Sequence, residues 1–171
     1  MQTKRLTLCG VLTAAALTIF VLEAQLPPLV PVPGIKPGLA NLITLFALVF
    51  LSPQDAFLIL LARILLGTAL VGNPAVLIYS LTGGLACLAA EVLLLRLCGA
   101  KQLWAISAAG AMVHNIFQLL AAACITRTLS VFWYLPALLI AGLLTGLFTG
   151  LCIWYLNRRR GEQLRLWLSR K

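Results

Sequence analysis

The sequence predicts an all-α integral membrane protein with six transmembrane helices. Hydrophobic residues make up 62% of the 171 residues and charged residues only 10%. Soluble domains contain about 45–50% apolar and about 25% charged residues, so a water-soluble fold is excluded. The apolar residues fall into six runs separated by polar, proline or glycine positions, and the length fits a single membrane domain over residues 1–171.

Hydropathy places the six spans in chain order. Span one follows Lys4 and Arg5, and we keep it as a span because no small-residue cleavage site of a signal peptide follows it. Span two is short for a bilayer, which needs about 20 residues. It ends before Ser52-Pro53, because proline cannot continue a helix and pushes its predecessor out of the helical region. The predicted spans are 6–22, 39–51, 54–71, 75–95, 103–126 and 133–156.

Two segments outside the spans have distinctive compositions. The outer loop 23–38 contains five prolines, Pro27, Pro28, Pro31, Pro33 and Pro37, which favour stiff, extended backbone. Such a loop is either a rigid linker or a lid over a binding site. The tail 157–171 mixes arginines with leucine and tryptophan, a composition typical of a segment at the membrane surface.

The distribution of positive charge predicts the orientation. Six spans place both termini on one side, and that side carries ten of the thirteen Lys and Arg residues: Lys4, Arg5, Arg96, Lys101, Arg158, Arg159, Arg160, Arg165, Arg170 and Lys171. Lys36 and Arg127 lie on the other side. Because cytoplasmic loops of membrane proteins are enriched in Lys and Arg, we expect a multi-pass protein of the cell membrane with both termini cytoplasmic. This placement also disfavours nucleic acid as a partner.

Arg63 lies near the middle of span three. An arginine at the centre of a bilayer costs about 2.5–3.5 kcal/mol on insertion scales, so its side chain needs a partner or a wet cavity. Two interpretations are open: Arg63 binds a ligand, or it forms a structural ion pair with Asp55 or Glu91.

Polar residues in other spans are predicted to share a chamber with Arg63. His114 and Gln118 are four residues apart and lie on one face of span five, with Asn115 beside them. Asn41, Tyr79 and Ser80 lie in the outer halves of spans two and four. The candidate substrate-binding residues are Lys36, Asn41, Arg63, Tyr79, His114, Asn115 and Gln118. Their cations favour an anionic or strongly polar ligand.

Small residues recur every four positions on span one, at Gly10, Ala14 and Thr18. Such stripes allow close approach of helices. The stripe is suited either to packing within the bundle or to docking of a partner membrane helix.

Enzymatic chemistry is not expected. The chain has four acidic residues, Glu23, Asp55, Glu91 and Glu162, and a single histidine. These residues are dispersed along the sequence, whereas metal-dependent or paired-carboxylate catalysis needs clustered side chains. The chain also lacks a GxxxxGK[ST] loop for ATP. We therefore predict no catalytic residue, no metal site and no cofactor.

Four ordered motifs resemble one known family. They are GIKPGLAN at 34–41, LARILLG at 61–67, YSLTGG at 79–84 and HNIFQ at 114–118. Together they are similar to the Gx transporter family, also labelled heptaprenyl diphosphate synthase component I, which resembles the substrate-binding S-components of energy-coupling-factor transporters. The resemblance covers about residues 6–156.

The resemblance implies an S-component-like bundle that binds a small molecule under its outer loop. The expected ligand is vitamin-like or a quinone or isoprenoid precursor, and the expected partners are a transmembrane energising subunit, docked at Gly10, Ala14 and Thr18, and ATPase subunits. One alternative is a non-catalytic membrane accessory subunit of isoprenoid or quinone biosynthesis. Another is a stand-alone proton-coupled transporter in which His114 carries protons.

Overall fold

The computed structural model describes residues 2–25 and 38–169, which form six α-helices and two short 3₁₀ segments. The helices are α1 (Gln2–Gln25), α2 (Asn41–Phe50), α3 (Pro53–Val71), α4 (Pro74–Cys98), α5 (Leu103–Thr126) and α6 (Leu135–Ser169). The 3₁₀ segments Ala100–Gln102 and Leu129–Tyr134 lead into α5 and α6. The described part of the chain contains no strand, which confirms the all-α prediction.

Five of the six helices are long and apolar enough to cross a membrane. The exception among the described residues is α2, which has 10 residues and is therefore about 15 Å long, half the thickness of a hydrocarbon core. The expectation of six spans is thus correct for the number of helices and wrong for α2 as a complete span. The helix begins only at Asn41, two residues later than predicted. The break between α2 and α3 lies at Ser52-Pro53, as predicted.

Local sequence fixes the starts of α3 and α4. Ser52 caps α3 by accepting a hydrogen bond from the backbone N–H of Asp55, and Asn73 caps α4 by accepting one from Ala75. A proline follows each cap at the first helical position, where its missing N–H costs nothing. Only residues 72–73 separate the two helices, and α4 packs against α3 where Gly84 faces Leu60 and Ile64.

Helices α4, α5 and α6 form the most closely packed part of the bundle. On α6, Gly142, Gly146 and Gly150 face the backbone of α5, and a Cβ atom at Gly146 would lie only 2.6 Å from Cα of Ala108. Glycine is required there because any side chain would separate the helices. The stripe of glycines on α6 therefore serves packing within the bundle.

Helix α1 packs mainly against α3. Leu12 and Ala16 of α1 join Ile59, Leu60 and Ile64 of α3 in the main hydrophobic cluster. At the end of the bundle that carries the N-terminus, Nε of Arg5 donates to Oδ2 of Asp55 at 2.8 Å. This pair ties the start of α1 to the start of α3.

The basic tail does not form a separate segment. Helix α6 continues without a break through the predicted end of span six and runs to Ser169, 35 residues in all. At 1.5 Å per residue the helix is about 52 Å long, so it projects well beyond a hydrocarbon core of about 30 Å.

Candidate functional site

A small cavity lies among α1, α3, α4 and α5, at the start of α2. Its water-accessible volume is about 10 Å³, room for about one water molecule. The lining residues are Phe20, Glu23, Gly38, Asn41, Arg63, Ser80, His114 and Gln118. The cavity therefore brings together residues from five separate parts of the chain, and most of them are polar.

Arg63 is the central charge of this cavity. Its guanidinium is buried, with 3% of the residue exposed, and Nη2 donates to Oδ1 of Asn41 at 2.5 Å. Its Nε atom has no hydrogen-bond partner in the described part of the chain. A buried donor without a partner costs about 1–3 kcal/mol, so Arg63 has unused capacity to bind an acceptor.

Of the two interpretations of Arg63, the ion pair with Asp55 or Glu91 is not found. Asp55 lies in the first turn of α3, where it forms a salt bridge with Arg5. Glu91 is packed against Gly110 of α5, and its Oε2 atom has no hydrogen-bond partner among the described residues. Arg63 therefore faces the cavity without either carboxylate as a salt-bridge partner.

Glu23 positions Asn41. Its Oε1 atom accepts a hydrogen bond from the backbone N–H of Leu39 at 2.7 Å, and Oε2 accepts one from Ala40 at 3.4 Å. These N–H groups precede the first turn of α2, and a carboxylate at a helix N-terminus also interacts favourably with the helix dipole. The buried carboxylate thus fixes the start of α2 and, with it, the amide of Asn41 beside Arg63.

His114 and Gln118 complete the cavity from α5. Nδ1 of His114 lies 3.4 Å from Nδ2 of Asn41, and Oε1 of Gln118 has no hydrogen-bond partner among the described residues. Both side chains lie against Gly83 of α4, where a Cβ atom would come within 3.0 Å of the imidazole and 2.8 Å of Cγ of Gln118. The absence of a side chain at Gly83 makes room for the two polar groups.

The structure brings together four of the seven predicted binding residues: Asn41, Arg63, His114 and Gln118. Ser80, which the sequence also placed in the chamber, lines the cavity with them. Lys36 lies outside the described residues. The remaining two, Tyr79 and Asn115, are buried elsewhere.

Tyr79 and Asn115 serve packing. Tyr79 belongs to a hydrophobic cluster with Leu119 and Leu138. Asn115 donates from Nδ2 to the backbone carbonyl of Leu138 at 2.6 Å and so connects α5 to α6. Neither side chain is among the described residues that line the cavity, so the structure does not bring these two predicted residues together with the other four. One residue along a helix corresponds to a rotation of about 100°, enough to turn a neighbour of Ser80 or His114 away.

Three cavity residues were missed by the sequence analysis: Phe20, Glu23 and Gly38. The signal for Glu23 was present, because an acidic residue directly follows an apolar run. The predicted span ended at residue 22 and assigned Glu23 to the loop, whereas α1 continues to Gln25. The extra turn carries the carboxylate into the bundle.

The cavity offers both a hydrogen-bond donor and a hydrogen-bond acceptor to a guest molecule. Nε of Arg63 is a donor and Oε1 of Gln118 is an acceptor, and both lack partners in the described chain. The carboxylate of Glu23 shares the cavity with the guanidinium. A guest with both acceptor and donor groups matches this set, provided the surrounding helices move apart to enlarge the cavity.

The predicted docking stripe on α1 faces away from the bundle. Gly10, Ala14 and Thr18 are exposed, and a Cβ atom at Gly10 would meet no atom within 4 Å. The hydroxyl of Thr18 donates to the backbone carbonyl of Ala14 at 2.9 Å. Since this hydroxyl is satisfied within its own helix, the stripe presents a smooth, largely apolar surface.

The model of one protein family, heptaprenyl diphosphate synthase component I, matches residues 12–156. The chain belongs to this family. The match confirms the family resemblance and includes every cavity residue, while it ends before the last part of α6. No curated protein matches the chain, and no solved structure matches it.

The family description names a component of a synthase. Among the described residues of this family member, no three His, Cys, Asp or Glu side chains are grouped so that they could hold a metal ion. Of the acidic residues, Glu23 caps α2 and Asp55 binds Arg5 at the opposite end of the bundle.

Proposed function

We propose that this membrane protein is the substrate-binding subunit of an importer of the energy-coupling-factor type, for a small polar or anionic molecule. The observation that carries the proposal is the buried cluster of Arg63, Asn41, His114 and Gln118, which surrounds a cavity. Within the described residues, this cluster retains one donor and one acceptor without a partner. Polar groups at membrane depth are costly, and a binding site is the usual reason for retaining them.

The cavity chemistry narrows the class of guest. Glu23 and Arg63 line the same space, so their opposite charges partly compensate. A guest with one anionic or carbonyl-like group for Arg63 and an N–H or O–H group for Gln118 would satisfy both free atoms. Vitamin-like molecules and quinone precursors with polar head groups have this pattern.

The proposal predicts that a small molecule is retained when the protein is purified in mild detergent, and that Gln118→Leu reduces its occupancy about tenfold. Leucine has a similar size but lacks the acceptor oxygen, and a guest donor left unpaired costs about 1–3 kcal/mol. Mass spectrometry of the intact protein measures the occupancy. Gln163→Leu is the matched control because Gln163 is an exposed amide near the end of α6. Equal occupancy in both variants would contradict the assignment of the cavity.

In this proposal the driving energy comes from partner subunits that meet the chain at Gly10, Ala14 and Thr18. Support comes from the outward orientation of these residues and the satisfied hydroxyl of Thr18. In a membrane, small residues allow two helix backbones to approach closely. The proposed orientation has both termini in the cytoplasm, so that the cavity opens toward the outer side.

A photoreactive amino acid at Ala14 is therefore expected to cross-link to a second membrane protein in native membranes. The same label at Leu144, which is 62% exposed on α6, is the control for non-specific capture. A cross-linked partner at Ala14 that associates with an ATPase would support the importer. A synthase as the partner would instead favour the accessory role suggested by the family description. Equal capture at the two positions would overturn the docking surface.

A further inference from the structure

The end of the bundle that carries the N-terminus has a second pocket, far from the cavity of Arg63. It lies between the turn after α4 and the C-terminal half of α6, and its volume is about 270 Å³. The lining residues are Ala100, Lys101, Trp154, Asn157 and Arg158. Two of these five described lining residues are cationic, and none of the five is acidic.

Aromatic residues along α6 place this pocket at the membrane surface. Trp133 and Tyr134 lie just before α6. Trp154 and Tyr155 lie within α6, about 20 residues further along the sequence. At 1.5 Å per residue the two pairs are about 30 Å apart, which matches the thickness of a hydrocarbon core. Trp and Tyr concentrate at both membrane interfaces. The pocket beside Trp154 therefore lies at the depth of lipid headgroups.

The orientation of Arg158 is restricted by an aromatic contact, and both cations of the pocket remain available. The guanidinium of Arg158 stacks over the indole of Trp154 at 5.3 Å from the ring centroid, which restricts its orientation before any ligand binds. Lys101 is carried by the 3₁₀ segment Ala100–Gln102 on the opposite wall. Within residues 2–25 and 38–169, neither side chain forms a salt bridge with an acidic residue.

We propose that this pocket binds the headgroup of an anionic phospholipid. Two cations at headgroup depth attract the negative charge of a phosphodiester, and basic pockets between helices at the membrane surface are suited to such headgroups. The guanidinium of Arg158 offers a planar fork of donors, which fits phosphate oxygens, and Lys101 adds a point charge. The acyl chains of the bound lipid extend along the apolar surface of α6. This site is independent of the proposed import function.

The test compares two arginines on the same helix. Arg159 stacks over Tyr155 at 5.6 Å but does not line the pocket, so Arg159→Gln removes the same charge and a similar stacking contact one residue away. The protein is reconstituted in nanodiscs of phosphatidylcholine with a minor fraction of phosphatidylglycerol. Bound lipid is then measured by native mass spectrometry for the wild type, Lys101→Gln, Arg158→Gln, the double variant and Arg159→Gln.

We expect preferential retention of phosphatidylglycerol by the wild type, a loss of about fivefold for each pocket variant and about 30-fold for the double variant. Arg159→Gln should retain the lipid as the wild type does. Equal losses for Arg158→Gln and Arg159→Gln would overturn the pocket in favour of diffuse attraction, and so would equal retention of phosphatidylcholine. A second arm adds inorganic phosphate; complete displacement of the lipid at millimolar phosphate would show a free-anion site and overturn the lipid assignment.

Discussion

Replacement of Arg63 by glutamine is expected to weaken retention of the co-purified molecule by about 30-fold or more. Removal of one member of a buried charged interaction typically costs about 2–5 kcal/mol of binding free energy, and each 1.4 kcal/mol corresponds to a factor of ten. Glutamine preserves an N–H donor toward Oδ1 of Asn41, which Arg63 now satisfies. The change therefore removes the charge and the free Nε donor while leaving the cavity wall polar.

Arg96→Gln is the control for this variant. Arg96 is exposed in the last turn of α4, so its loss removes one positive charge from the protein without changing the cavity. Titration of both variants with the molecule extracted from the wild type gives the two dissociation constants. Wild-type affinity in Arg63→Gln, together with a wild-type elution profile, would remove Arg63 from the site and leave it with a purely structural role.

The residues at the centre of the site could be identified from the sequence because they are polar residues within otherwise apolar spans. A cation inside span three and three polar residues within one turn of span five are costly in hydrocarbon, and this cost is visible without a structure. Hydropathy also located each helix, since apolar runs of this length have few alternatives. Arg63, His114 and Gln118 were therefore predictable from the sequence.

The direction of each side chain was less predictable. Tyr79 and Ser80 are neighbours, yet Ser80 lines the cavity and Tyr79 packs against Leu119. The sequence alone does not show which helix packs against which face when all faces are apolar, because the lipid-facing side is as hydrophobic as the core. Span length was partly predictable: the sequence already indicates that span two is short for a bilayer, and the helix α2 has only 10 residues.

Glu23→Ala is expected to lower the stability of the protein by about 2–4 kcal/mol, because two backbone N–H groups at the start of α2 lose their acceptor and each costs about 1–3 kcal/mol when left unsatisfied. For a protein of this size the thermal midpoint should fall by roughly 5–15 °C. Differential scanning fluorimetry in detergent measures the shift. Glu162→Ala is the control, since Glu162 is exposed on α6.

A second variant separates the structural role of Glu23 from its charge. Glu23→Gln retains one acceptor oxygen for the N–H of Leu39, which Oε1 binds at 2.7 Å, so it should recover at least half of the stability lost in Glu23→Ala. It also removes the negative charge that shares the cavity with Arg63, which should strengthen binding of an anionic guest and weaken that of a cationic one. Equal thermal midpoints for Glu23→Ala and the wild type would mean that α2 is held by packing alone, and the position of Asn41 would then need another explanation.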